Sequence, residues 1–166
     1  VKRTSLSGGA VKEIYSATSR FRITFDTGDN LRITGRNAAN TSILSHSSAA
    51  ITDSDWHHVI FSIDMENQAD SHVYVDDVDV TNFFTFTDDF IDISASWHTI
   101  GANGGSNLLD AHIADFWLET DTYLDLSDTQ NRRKFIDASG NPVNLGTNGE
   151  GPLGAAPDVF LSGNIE

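Results

Sequence analysis

Residues 20–34, RFRITFDTGDNLRIT, alternate between apolar and polar side chains on both sides of a polar turn. Phe21, Ile23, Phe25, Leu31 and Ile33 fall on one side, and Arg20, Arg22, Thr24, Arg32 and Thr34 on the other. A period of two belongs to half-buried antiparallel strands, so the stretch predicts a hairpin turning at DTGDN. TSILS at 41–45 supplies another short strand. From Trp56 onward Val59, Phe61, Ile63 and Met65 alternate with His58, Ile60, Ser62 and Asp64, and the return strand sets Val73 and Val75 against His72, Tyr74 and Asp76. Phe61 therefore reads as core, and Phe61→Ala is expected to cost ~3 to 5 kcal/mol through the cavity it leaves.

After a looser aromatic and acidic stretch, NFFTFTDDFIDIS, the chain gives HTIGANGG and then DAHIADFWLETDTYL, a strand whose Ala114, Phe116 and Leu118 are expected to share a face. At least seven strands follow, with turn residues every ~8 to 12 positions, a spacing that suggests a β-sandwich or jelly roll. One short helix interrupts them. SDTQNRRKFI places Gln130 three residues after Ser127 in a capping-box arrangement, with Asp128 early and Arg132, Arg133 and Lys134 late to complement the helix dipole. The Gly- and Pro-rich remainder is expected to run as a turn-filled tail over the sheet, with Val159, Phe160 and Leu161 as a last strand. The expected organisation is a sandwich over residues 1–126, and a helix plus extended segment over 127–166 packed on the same domain.

Composition narrows the function classes. With 24 acidic against 10 basic residues the chain carries a net charge of −14, which disfavours a phosphate backbone as partner. The absence of Cys removes disulfides, thiolate metal sites and cysteine nucleophiles. No apolar run reaches the ~18 residues that span a bilayer, so no membrane insertion is expected. The chain opens on VKR without an initiator Met, as expected of a processed or internal start.

WHHV at 56–59, YVDD at 74–77, IGA at 100–102 and the stretch from Asp110 to Phe116 resemble, in order and spacing, the laminin-G-like branch of the concanavalin A-like lectin/glucanase superfamily. The resemblance covers about residues 20–120. It implies an all-β fold, a concanavalin A-like jelly-roll β-sandwich of two antiparallel sheets, here with one short C-terminal helix. Asp77 stands where that family usually carries Gly, which predicts a less common turn conformation. By family position and alternation Trp56 and Trp117 are expected to be buried. Residues 125–163, DLSDTQNRRKFIDASGNPVNLGTNGEGPLGAAPDVFLSG, are similar to a C-terminal segment of lectin-like proteins encoded by bacteriophages and prophages. Those relatives tend to continue past LSG, so the chain is expected to be one piece of a longer protein.

A glucanase of this superfamily would need two carboxylates alternating on one strand, one to protonate the leaving oxygen and one to attack. The nearest approach is Asp115 and Glu119, an even number apart but ~13 Å from each other at ~3.3 Å per residue, beyond the ~5 to 9.5 Å that glycoside hydrolysis uses. No catalytic residue is expected. Adjacent His57 and His58 point to opposite faces of a strand and cannot share a metal. A triad of Ser54, His57 and Asp55 lacks a nucleophile elbow. Asp76, Asp77 and Asp79, and Asp88, Asp89 and Asp92, offer hard oxygen ligands of the kind calcium takes, although neither set follows a calcium-loop spacing, and no cofactor or metal residue is assigned. For a carbohydrate the candidates are Trp97, His98, Asn103 and Asn107 around SWHTIGANGGSN, since sugar C–H faces stack on rings while hydroxyls seek polar side chains.

The expected function is a non-catalytic jelly-roll module of a virus (phage) particle, structural or host-attaching, with other virion proteins or its own copies as partners in a homo-oligomer and a cell-surface glycan as possible ligand. The alternative is a secreted bacterial carbohydrate-binding lectin module attached to an enzyme or adhesin.

Overall fold

A computed structural model of the chain describes residues 1–6, 8–94 and 97–165. Among these are twelve strands: β1 (Lys2–Arg3), β2 (Lys12–Ala17), β3 (Phe21–Phe25), β4 (Asn30–Arg36), β5 (Ser42–Ala50), β6 (Val59–Ser62), β7 (His72–Val75), β8 (Val78–Asp79), β9 (Phe83–Phe86), β10 (His98–Ile100), β11 (Ala111–Leu118) and β12 (Val159–Ile165). One layer is a six-stranded sheet in the order β10-β2-β3-β4-β5-β9. The facing layer joins two three-stranded sheets, β12-β11-β1 and β6-β7-β8, through an antiparallel bridge between Lys2 and Trp56 and the His57 N–H donated to the Val1 carbonyl at 2.8 Å. Every pairing between these strands is antiparallel. The result is the jelly-roll sandwich that the spacing of the strands predicted.

The alternating positions of the β3–β4 hairpin meet in the core as expected. Phe21, Ile23, Phe25, Leu31 and Ile33 are all buried, in register Ile23 opposite Ile33 and Phe25 opposite Leu31. Val73 is buried with them, and Val59, Phe61, Ile63, Met65 and Val75 pack from the other layer. Two expectations fail for reasons of parity. Trp56 is 47% exposed, because it shares its parity with the outward-facing His58 and Ile60. Between Ala114 and Phe116 the register of β11 shifts against β12, where two residues, 162 and 163, stand opposite Asp115 alone, and Asp115 takes φ 51°. Ile113, and not Ala114, therefore joins Phe116 and Leu118 on the core side.

The C-terminal segment builds a second apolar cluster. Leu126, Phe135, Ile136 and Leu145 are buried outside the central core, and the half-buried Trp117 meets Phe135 edge-on at 5.2 Å while its indole N–H donates to the Gly149 carbonyl at 3.0 Å. Gly149 is held at φ +78°, and a Cβ there would lie 2.7 Å from the Phe160 ring, so only glycine allows the loop to close on β12. The helix is one turn, α1 (Thr129–Arg132), shorter than its sequence pattern suggests, and its N-cap is Asp128 and not Ser127: the Asp128 carboxylate accepts the Gln130 N–H at 2.8 Å. An ST-x-x-Q spacing and an Asp one residue later compete for the same orphan donors, and the carboxylate wins.

That turn is fastened to the sandwich. Asp76 and Asp77 form the two-residue loop between paired Val75 and Val78, both with positive φ (52° and 63°), the left-handed pair that a right-twisted hairpin requires. Asp77 thus keeps the backbone conformation that glycine would adopt freely. Its carboxylate accepts Arg132 Nε at 2.7 Å and an Arg133 NH2 at 2.6 Å, while the Arg132 guanidinium lies 4.4 Å over the Tyr74 ring. The hydrogen bonds from Arg133 and then Arg132 hold the Asp77 carboxyl below its ordinary value of 3.8. A depressed carboxyl contributes fully above that ordinary value and its contribution fades as pH falls through the folded one. Asp77→Ala is accordingly expected to speed tryptic cleavage after Arg132, Arg133 and Lys134 at pH 8, and in the wild type the protection of residues 127–145 against hydrogen exchange, relative to the intrinsic rate at each pH, should weaken only below about pH 4. Unchanged cleavage in the variant would show that the apolar cluster holds the segment unaided.

Candidate functional site

Because odd positions of β3 and β4 face the core, their even positions line the outer face of the six-stranded sheet. Arg22 and Thr24 of β3 stand opposite Thr34 and Arg32 of β4, and Thr34 stands opposite Ser45 of β5. With Arg36, Asn40, Ser42, Ser19 and Asp26 they line an open groove of about 580 Å³. Its sides are hydroxyls, amide and guanidinium groups, suited to a ligand rich in hydrogen-bonding groups.

The three arginines are not equivalent. Arg22 is neutralised: its Nε and one NH2 donate to the two oxygens of Glu13 at 2.7 and 2.5 Å, and Glu13 is fully buried beneath it. That hydrogen bond raises the Arg22 pKa further. Arg32, 37% exposed, donates to Ser45 Oγ at 3.0 Å and lies 3.9 Å from Asp26, whose carboxylate is already occupied by the Gly28 and Asn30 N–H groups and the Asn30 amide of the hairpin turn. Arg36 is exposed and gives one hydrogen bond, to the Asn40 carbonyl at 2.9 Å; among the described residues it has no carboxylate partner.

Of the residues expected to bind a sugar, three sit on the flank of this groove and one does not. Trp97 is 44% exposed, and its ring lies against Gly104. The turn it covers is closed by Asn103 and Ser106, and the Asn103 amide donates to Ser19 Oγ, a groove residue, at 3.2 Å. Asn107 follows with its carbonyl accepting the Glu13 N–H at 2.9 Å, next to the buried carboxylate under Arg22. His98 turns the other way. Its Nδ1 meets the Tyr15 hydroxyl at 2.6 Å, and both border a smaller hollow of about 240 Å³ with Leu118, Thr120 and Asp158. Burial, and then the Asp158 carboxylate, raise the Tyr15 pKa, so the hydroxyl stays protonated. Consecutive strand residues face opposite ways, which separates Trp97 from His98.

The remaining chemical candidates are engaged structurally. His57 has Nδ1 on Asp76 and Nε2 on Asp53, both at 2.7 Å, and not on Ser54. Partial burial lowers its pKa, but the two carboxylates outweigh that and hold it above the ordinary histidine value. Burial keeps His58 neutral. Asp79 accepts the Thr81 N–H, Asp89 the Asn37 amide, and Asp92 the Ser94 hydroxyl. No three His, Asp or Glu side chains gather as a metal-ligand set among the described residues. Asp115 and Glu119 do not form a pair on one face: the bulge at Asp115 breaks the alternation, Asp115 accepts the Gly163 N–H, and Glu119 accepts the N–H groups of Asp121 and Thr122.

Two stacked antiparallel layers with an open polar groove across the larger one define a lectin-like jelly-roll domain. The laminin-G-like family model of the concanavalin A-like lectin/glucanases superfamily matches residues 1–125, and the chain belongs to that superfamily. The match includes β1 and β2, which the pattern of AVKEIYSA showed only in part. Comparison with curated proteins and with solved structures returned no significant match.

Proposed function

We propose that the chain is a non-catalytic carbohydrate-binding module whose contact surface is the groove on the six-stranded sheet. The observation that carries this reading is an open polar hollow, lined by Thr24, Thr34, Ser42 and Ser45, with the exposed Trp97 ring against the Gly104 turn whose Asn103 donates to the groove residue Ser19. Hydroxyls and guanidinium groups match sugar hydroxyls, and an exposed indole offers a face for a sugar ring. The non-catalytic part is supported by the carboxylates in and under the groove: Asp26, which lines it, is occupied by its own turn, and Glu13 is buried under Arg22, so neither is placed to pass a proton to a bound chain. Native gels cast with soluble polysaccharides test the reading. The wild type is expected to be retarded by at least one polymer, and Thr34→Tyr, which fills the groove with a residue that strands accept, should abolish the retardation while far-UV circular dichroism stays the same. Retardation that survives Thr34→Tyr would move the site elsewhere.

The setting we propose is a phage particle, where the module would attach to host glycans or decorate the surface, in contact with virion proteins or further copies of itself. Support comes from the resemblance of residues 125–163 to the C-terminal segment of phage lectin-like proteins and from the way that segment is bound to the sandwich through Asp77. Density-gradient fractions of the native source, read by peptide mass spectrometry, decide it: fixed stoichiometry in a particle band supports the virion setting, and recovery only as free protein favours the secreted module.

A further inference from the structure

The groove holds positive charge in a protein that has little to spare. Of 10 basic residues against 24 acidic ones, three are arginines lining this one hollow. An acidic chain has ample carboxylates with which to neutralise surface arginines, and elsewhere it does so, as with Arg132 and Arg133 on Asp77 and Arg3 on Asp29. Within the groove only Arg22 is matched. Arg32 has a carboxylate no nearer than 3.9 Å, and Arg36 has none among the described residues. Both are on β4, four residues apart, a separation of about 13 Å along an extended strand. Guanidinium groups left with free donors in a hydroxyl-lined groove are the arrangement that recognises planar anionic groups, carboxylate or sulfate, with paired hydrogen bonds.

We propose that the ligand of this groove is an acidic polysaccharide, its anionic groups held by Arg32 and Arg36 while the threonine and serine hydroxyls contact the sugar hydroxyls between them. This rests on the groove being the glycan site. The surrounding net negative charge has a consequence for specificity: a polyanion is repelled from the rest of the surface, so affinity depends on the two arginines and falls as salt screens them.

The test is isothermal titration of the full chain at low salt with a polyuronate (carboxylate groups only), a sulfated galactan (sulfate groups only), neutral dextran, and polyglutamate as a polyanion without sugar. Binding to the polyuronate or to the sulfated galactan is expected to exceed that to dextran and polyglutamate by at least tenfold, and the polymer that binds identifies the anionic group. Arg32→Gln combined with Arg36→Gln should weaken it at least tenfold. Arg36→Glu, at an exposed position that does not put folding at risk, should weaken it alone. Equal binding of dextran and the acidic polymers, with the arginine variants unchanged, overturns the acidic ligand and leaves the glycan groove standing. Polyglutamate binding as tightly as the acidic glycans would reduce the effect to ion exchange and overturn it too. If the wild type binds none of the sugars, the glycan groove itself falls along with it.

Discussion

Arg22→Met is expected to destabilise the protein by about 3–5 kcal/mol, more than its partly exposed side chain alone would suggest. The reason lies underneath it. Glu13 is fully buried and both of its oxygens are satisfied by Arg22, so removing the guanidinium leaves a carboxylate in a low-dielectric site without a counter-charge. A further outcome separates this cause from lost packing. The double variant Glu13→Leu/Arg22→Met should recover most of the loss, since a buried ion pair exchanged for apolar side chains is close to neutral. Urea melts of the two variants at pH 7 measure the loss and its recovery, and a loss below about 1 kcal/mol in Arg22→Met would mean that water reaches Glu13.

Phe25→Ala is expected to cost about 3–5 kcal/mol and to lower Tm by roughly 10 °C in a chain of this size. Phe25 has no exposed surface, pairs with Leu31 across the hairpin, and carries the buried Arg3 guanidinium 4.4 Å above its ring. Arg3 in turn donates to the Ile51 carbonyl and to Asp29, so the cavity would open beneath a charged group that cannot move to fill it. Phe61→Ala should cost less, about 2 kcal/mol and not the ~3 to 5 kcal/mol that its alternation suggests, because Phe61 is only half-buried at the edge of the core, where it meets Phe21 at 6.2 Å. Thermal melts of the two variants side by side check the ranking, and equal losses would contradict it.

The strands that could be read from the chain are those whose two faces differ. Phe21 to Ile33 alternate without a break, and so do Val59 to Met65, which is why their inward sets emerged intact. Trp56 is expected to be buried on both alternation and family position, but it carries the opposite parity to Val59, and a strict count of the alternation already turns it outward. The bulge at Asp115 has no such mark. The extra residue lies in β12 opposite Asp115, the alternation of β11 reverses from that point on, and an Asp with positive φ looks like any other Asp in a strand. Trp97, Asn103 and Asn107 were brought to one flank of the groove by the turn that follows β10, whereas His98 was bound to face the other way as the strand neighbour of Trp97. The groove went unread because Arg22, Thr24, Arg32 and Thr34 look like an ordinary solvated face. Its signal was the concentration of arginine there in so acidic a chain.

The two layers also differ in when they can be assembled. β2 to β5 are joined by short connections and form one continuous meander from the first part of the chain. The facing layer sets Lys2 opposite His112 and Leu118 opposite Val159, so its middle cannot close until residues 159–165 have been made. Contacts of such long sequence separation form late and slowly. A chain leaving the ribosome therefore leaves part of the inward side of the six-stranded sheet uncovered for as long as residues 119–165 take to be made. Slow translation or truncation within β12 is expected to yield aggregates rather than a smaller folded protein.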